Sequence, residues 1–82
     1  MSLADQIRMF VLVNYIQPAR RNSQQAIEVM SRDIVKKLGL HGRVPAVCGA
    51  LDALKFRNDH YLRLSKRTGP KFGLTVIWEF IL

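Results

Sequence analysis

Eighty-two residues make room for one small domain, residues 1–82, and no second. An apolar fraction of 49% predicts a packed core and excludes a disordered chain. Thirteen Lys and Arg against six Asp and Glu give a net charge of +7, and all of that excess falls within residues 31–71, where ten basic residues stand against three acids.

Positive charge segregated in this way points to a face that binds a polyanion. The single cysteine, Cys48, permits no internal disulfide and fits a reducing cytosol, so a cytoplasmic location is expected. No uncharged apolar run approaches the roughly 18 residues of a membrane-spanning helix, and the opening MSLADQIR lacks the form of a secretion signal.

In chain order, Ser2 and Asp5 resemble a capping box and open a helix from about Leu3 to Gln17, which Pro18 ends. The run MFVLVNYI also reads as a strand; the cap and the length favour the helix. This helix is apolar nearly all round. Met9, Leu12, Val13 and Ile16 form a surplus face that would suit a homodimer. Ala26 to Met30 alternate as a short strand, or merge with the adjoining SRDIVKKLG into one helix, AIEVMSRDIVKKLG.

Ser31 is then the expected N-cap of a second helix whose inner face is Ile34, Val35 and Leu38, closed by Gly39. Pro45 sits at the start of a third helix, Val44 to Phe56, with Val44, Val47, Cys48, Leu51 and Leu54 in its buried stripe. Two such helices about a short glycine-bearing turn make a helix-turn-helix over residues 31–56. After a break at RNDH, Tyr61 to Arg67 alternate, TGPKFG makes a loop, and Leu74 to Leu82 form the strongest strand, with Trp78 in the core. The predicted class is α+β: three helices, a short strand and a C-terminal antiparallel hairpin.

The segments IVKKLGLHGRVPAVCGALDALKF, RLSKRTGP and TVIWEF, in that order, resemble a winged helix-turn-helix domain. They are similar to small, mostly uncharacterised prokaryotic proteins of that type, and the order of elements covers nearly the whole chain. The resemblance implies duplex DNA binding, with the third helix in the major groove and the wing, Lys66 to Lys71 within residues 61–82, on the backbone. A transcription regulator or a DNA-docking subunit is the role it suggests. One departure stands out: the outward face expected for the third helix is Ala46, Gly49, Ala50 and Ala53, without the Arg, Asn or Gln that read base edges.

The candidate DNA-binding residues are Arg32, Lys36, Lys37, His41, Arg43, Ala46, Gly49, Ala50, Ala53, Arg57, Lys66, Arg67 and Lys71. Arg43, at the entry to the third helix, is placed to meet a phosphate or a guanine. Lys66, Arg67 and Lys71 on a loop tip would act as point charges to phosphates. Phe72 is expected to pack back on the hairpin, a stack or wedge against a base being the alternative. Cys48 reads as a small buried hydrophobe. His41, Cys48 and His60 match no zinc spacing, and no phosphate-binding glycine loop precedes a helix, so neither enzyme nor metal nor cofactor is expected. The alternative function is a winged helix used for protein–protein contact, and charge alone leaves RNA open as a third partner.

Overall fold

Ser2 begins the first helix as its sequence predicts: its hydroxyl accepts the Asp5 amide at 3.1 Å. Ser2 and Arg8 together hold the Asp5 carboxyl below its ordinary value. The computed structural model describes all 82 residues, and this helix does not stop at Pro18. It runs unbroken through α1 (Leu3–Val11), a π-helical segment (Leu12–Ile16) and α2 (Gln17–Arg21). The Gln17 amide reaches back five residues to the Leu12 carbonyl, the wide bond of a π turn. That extra residue sets Pro18 in the opening turn of α2, where its missing donor is not needed.

The same π turn corrects the expected outer face of this helix. A one-residue insertion rotates everything after it, so Ile16 turns inward and is fully buried, and Leu12 is half-covered. Met9 and Val13 alone stay well exposed from the four residues proposed for a dimer.

Strand β1 (Ala26–Met30) leads directly into α3 (Ser31–Leu38), which Gly39 closes in the left-handed conformation at φ 67°. Ser31 is not the cap. Met30, in extended conformation, holds that position, and Ser31 is the first helical residue, fully buried. The orphan amides of the first turn are met from outside the helix: Ser31 N–H donates to Val76 O at 2.9 Å and Arg32 N–H to Leu74 O at 3.2 Å. The Ser31 hydroxyl is thereby free to donate to Gly73 O at 2.6 Å.

After α4 (Val44–Asp52) the chain breaks at Ala53, which is extended (φ −65°, ψ 131°), and restarts as α5 (Leu54–Asp59). The single helix expected over 44–56 is therefore two. The reason lies in the wheel. In a straight helix Leu54 would share the inner face with Val47 and Leu51, and Phe56 would point outward. The break exchanges them: Phe56 is fully buried, edge-on to Phe80 at 5.7 Å, and Leu54 is 60% exposed. Burying the larger ring removes more apolar area from water.

Strands β2 (Arg63–Thr68) and β3 (Ile77–Ile81) form the expected hairpin, with β3 central in an antiparallel sheet of order β1-β3-β2. Val29 and Arg67 flank Trp78 in register on either side. A bulge at Ser65 shifts the pairing, and its hydroxyl donates to the Glu79 carboxylate at 2.6 Å. The fold is thus α+β, four helices against one face of a three-stranded sheet. Its core joins Ile7, Val11 and Ile16 to Val29, Ile34, Val47, Leu51, Phe56, Trp78 and Phe80.

Candidate nucleic-acid interface

The start of α3, the middle of α4 and the loop between β2 and β3 converge on one carbonyl, that of Gly73. Ser31 Oγ donates to it at 2.6 Å from α3, and Cys48 Sγ lies 3.7 Å from it on α4. The loop itself is drawn closed at its neck by Gly69, whose φ of +102° only glycine adopts readily. A Cβ there would lie 3.0 Å from Thr75 O and Val76 Cα, so the two sides of the neck touch.

Arg67 is where the structure departs most from the expected wing. It does not stand on a flexible tip. It lies in β2, half-buried, and its guanidinium grips the Asp52 carboxylate in a fork, Nε to Oδ1 at 2.7 Å and Nη2 to Oδ2 at 2.9 Å. Its remaining donors hold the loop, Nη1 to Pro70 O at 3.0 Å and Nη2 to Lys71 O at 2.9 Å. The guanidinium also sits 5.7 Å from the centre of the Trp78 ring. Trp78 Nε1 in turn donates to Asp52 Oδ1 at 2.7 Å. Desolvation works to raise the Asp52 pKa, but the hydrogen bonds from Arg67 and Trp78 outweigh it and hold the carboxyl below its ordinary value. The Asp52 hydrogen bond raises the pKa of Arg67 correspondingly. Every donor of this fork is engaged.

Lys37 is also engaged: its ammonium donates to the Tyr15 hydroxyl at 2.9 Å and lies 5.0 Å over the ring. The side chains of Arg32, Lys36, Arg43, Arg57, Lys66 and Lys71 make no hydrogen bond or ion pair, and all but the half-buried Arg57 are exposed. Arg32 and Lys36 stand one turn apart on α3, Arg43 caps the start of α4 and Lys71 is in the loop. Lys66 faces the Glu79 position across the sheet, beside Glu28, and so stands among acids. His41 is exposed in the turn between α3 and α4.

The small face expected on the third helix is only partly outward. Pro45 and Gly49 are exposed, Ala46 and Ala53 are half-buried, and Ala50 is in the core, its carbonyl accepting from Arg8 at 3.2 Å. Ala53 belongs to the break and not to the helix face. Phe72 is 49% exposed, so about half of its surface stays open to solvent.

Sequence reasoning missed the Asp52–Arg67–Trp78 cluster and the Ser31–Gly73 bond. One signal for the first was available, since a buried indole N–H needs an acceptor and acids are few between residues 31 and 71. No group of three His, Cys, Asp or Glu lies close enough to hold a metal, and no helix is long and apolar enough to cross a membrane. The open groove of about 370 Å³ between α1 and α5 is lined by charges that satisfy one another, Asp5 with Arg8 and Asp59 with Lys55. In comparisons with known proteins, no family model, curated protein or solved structure matches this chain.

Proposed function

We propose that this chain is a winged-helix-like domain that binds duplex DNA chiefly through its phosphates, as a transcription regulator or a DNA-docking subunit. The observation that carries the reading is the set of unpaired cations Arg32, Lys36, Arg43 and Lys71 on the three elements that meet at Gly73. Long cations without acid partners are free to replace counterions along a phosphate backbone. The exposed part of α4 supports binding without sequence preference: Pro45 and Gly49 offer no side-chain donor or acceptor to a base edge. They do allow a duplex to approach the helix backbone closely.

The test is duplex affinity measured over a range of salt. Each phosphate contact contributes a slope of about 0.9 in log affinity against log salt. Arg43→Ala should cost about 1–3 kcal/mol if it reads a base and should act equally on all duplexes if it meets a phosphate. A second reading, docking of a protein partner, draws on exposed Leu54, Met9 and Val13. Duplex affinity unchanged by Arg43→Ala and Lys71→Ala together would leave that second reading in place of the first.

A further inference from the structure

Phe72 is an exposed aromatic on an unusually well-held piece of loop. Exposure of one apolar side chain is ordinary; the setting of this one is not. The residue before it is held by Arg67, which donates to the Lys71 carbonyl at 2.9 Å and to the Pro70 carbonyl at 3.0 Å. The residue after it is held by Ser31, which donates to the Gly73 carbonyl at 2.6 Å, and the next by the Arg32 amide on Leu74 O. Both anchors are rooted in the fold, Arg67 through Asp52 and Ser31 through complete burial at the start of α3. The backbone on either side of Phe72 is therefore fixed before any partner arrives.

A ring with two rotatable bonds on a fixed backbone loses little entropy when it binds, which is what a contact anchor needs. The charge around it selects the partner. Lys71 Nζ stands over one face of the ring, 5.4 Å from its centre, and Arg32, whose side chain has no partner, comes directly after Ser31 on α3. No acid lies between Asp59 and Glu79 in the chain, and the Asp52 carboxylate beside the loop is taken up by Arg67 and Trp78, so the free charge next to the ring is that of Lys71. A flat apolar face flanked by positive charge is complementary to a nucleobase with its phosphates.

We infer that Phe72 is a stacking platform for an unpaired base, so that the favoured ligand is a duplex interrupted by a base outside the stack. The inference rests on the nucleic-acid reading above and narrows it to one class of DNA. Lys71 and Arg32 supply contacts to the phosphates on either side of that base, and Phe72 supplies the only contact that a fully paired duplex lacks.

The experiment compares the full chain on two labelled duplexes that are identical except for one unpaired adenine. The wild type should bind the interrupted duplex roughly 5- to 150-fold more tightly, the range expected of one base–aromatic stack. Phe72→Ala should erase that preference and leave affinity for the paired duplex and its salt slope as they were. Phe72→Tyr, which keeps the π face, should retain the preference, and Phe72→Leu, which keeps apolar bulk without it, should lose it. Melting temperatures equal to the wild type would show that the fold is intact in each variant. Equal wild-type affinity for the two duplexes, or a preference that survives Phe72→Ala or Phe72→Leu, overturns the role of Phe72 while duplex binding stands. Binding to neither duplex overturns both readings and turns the same exposed ring over to a protein partner.

Discussion

The indole N–H of Trp78, at the centre of the sheet, donates to the carboxylate of Asp52 at the last turn of α4, with a separation of 2.7 Å. Because Arg67 of β2 grips the same carboxylate, one acid ties the helix to both strands of the hairpin. Trp78→Phe keeps most of the buried volume and removes the donor together with one ring, so it should cost at least about 1.5–3 kcal/mol, the value of a hydrogen bond to a charged group. Trp78→Ala adds a cavity and should cost about 3–5 kcal/mol. Urea unfolding of the two variants checks the gap. Equal costs would mean that the Asp52 contact contributes little.

Asp52 also gives the fold an acid limit. Burial raises its pKa, and the hydrogen bonds from Arg67 and Trp78 more than reverse that, leaving the folded value below the ordinary 3.8. A carboxyl depressed on folding stabilises fully above its unfolded value, and the gain is lost as pH falls through the folded one. Thermal stability should therefore fall as pH drops below about 4. In Asp52→Asn that part of the fall should vanish, at the cost of lower stability at neutral pH. A variant with the same acid profile as the wild type would assign the transition to other carboxyls.

Arg67 and Lys71 are four residues apart and both cationic, yet they should fail differently. Arg67→Ala removes the partner of Asp52 and the clamp on the Pro70 and Lys71 carbonyls. It should lower the melting temperature and raise amide exchange across residues 69–74. Lys71→Ala touches an exposed side chain and should change stability by no more than about 0.5 kcal/mol. Its effect belongs to duplex binding, where the salt slope should flatten by about 1. Equal melting temperatures for the two variants would contradict the clamp.

The break at Ala53 makes a prediction opposite to that of a straight third helix. Leu54, exposed, should tolerate Leu54→Ser within about 0.5 kcal/mol, whereas Phe56→Ala should cost about 3–5 kcal/mol. A straight helix would reverse the order. Chemical unfolding of both variants distinguishes them.

Much of the element order was legible because its signals are local. Ser2 starts a helix, Gly39 ends one at positive φ, Pro45 opens another, and the alternation at Ala26–Met30 and within Leu74–Leu82 makes strands, the second only from Ile77 to Ile81. Each depends on the backbone chemistry of a few neighbouring residues, and so did the positive excess over residues 31–71. The tertiary structure decided the rest wherever a local preference met a larger distant one. Ser31 has a hydroxyl fit for capping, but the Val76 and Leu74 carbonyls already satisfy those first amides, so it turns to Gly73. Leu54 had the right spacing for the core and lost it to Phe56, because a phenyl ring against Phe80 outweighs the roughly 1 kcal/mol that helix propensity at one residue can supply. Arg67 looked like any other cation of a loop tip until β3 brought Trp78 and α4 brought Asp52 alongside it. Partners 15 and 11 residues away along the chain leave no mark in local spacing, and only packing reveals which cations stay free to meet a ligand.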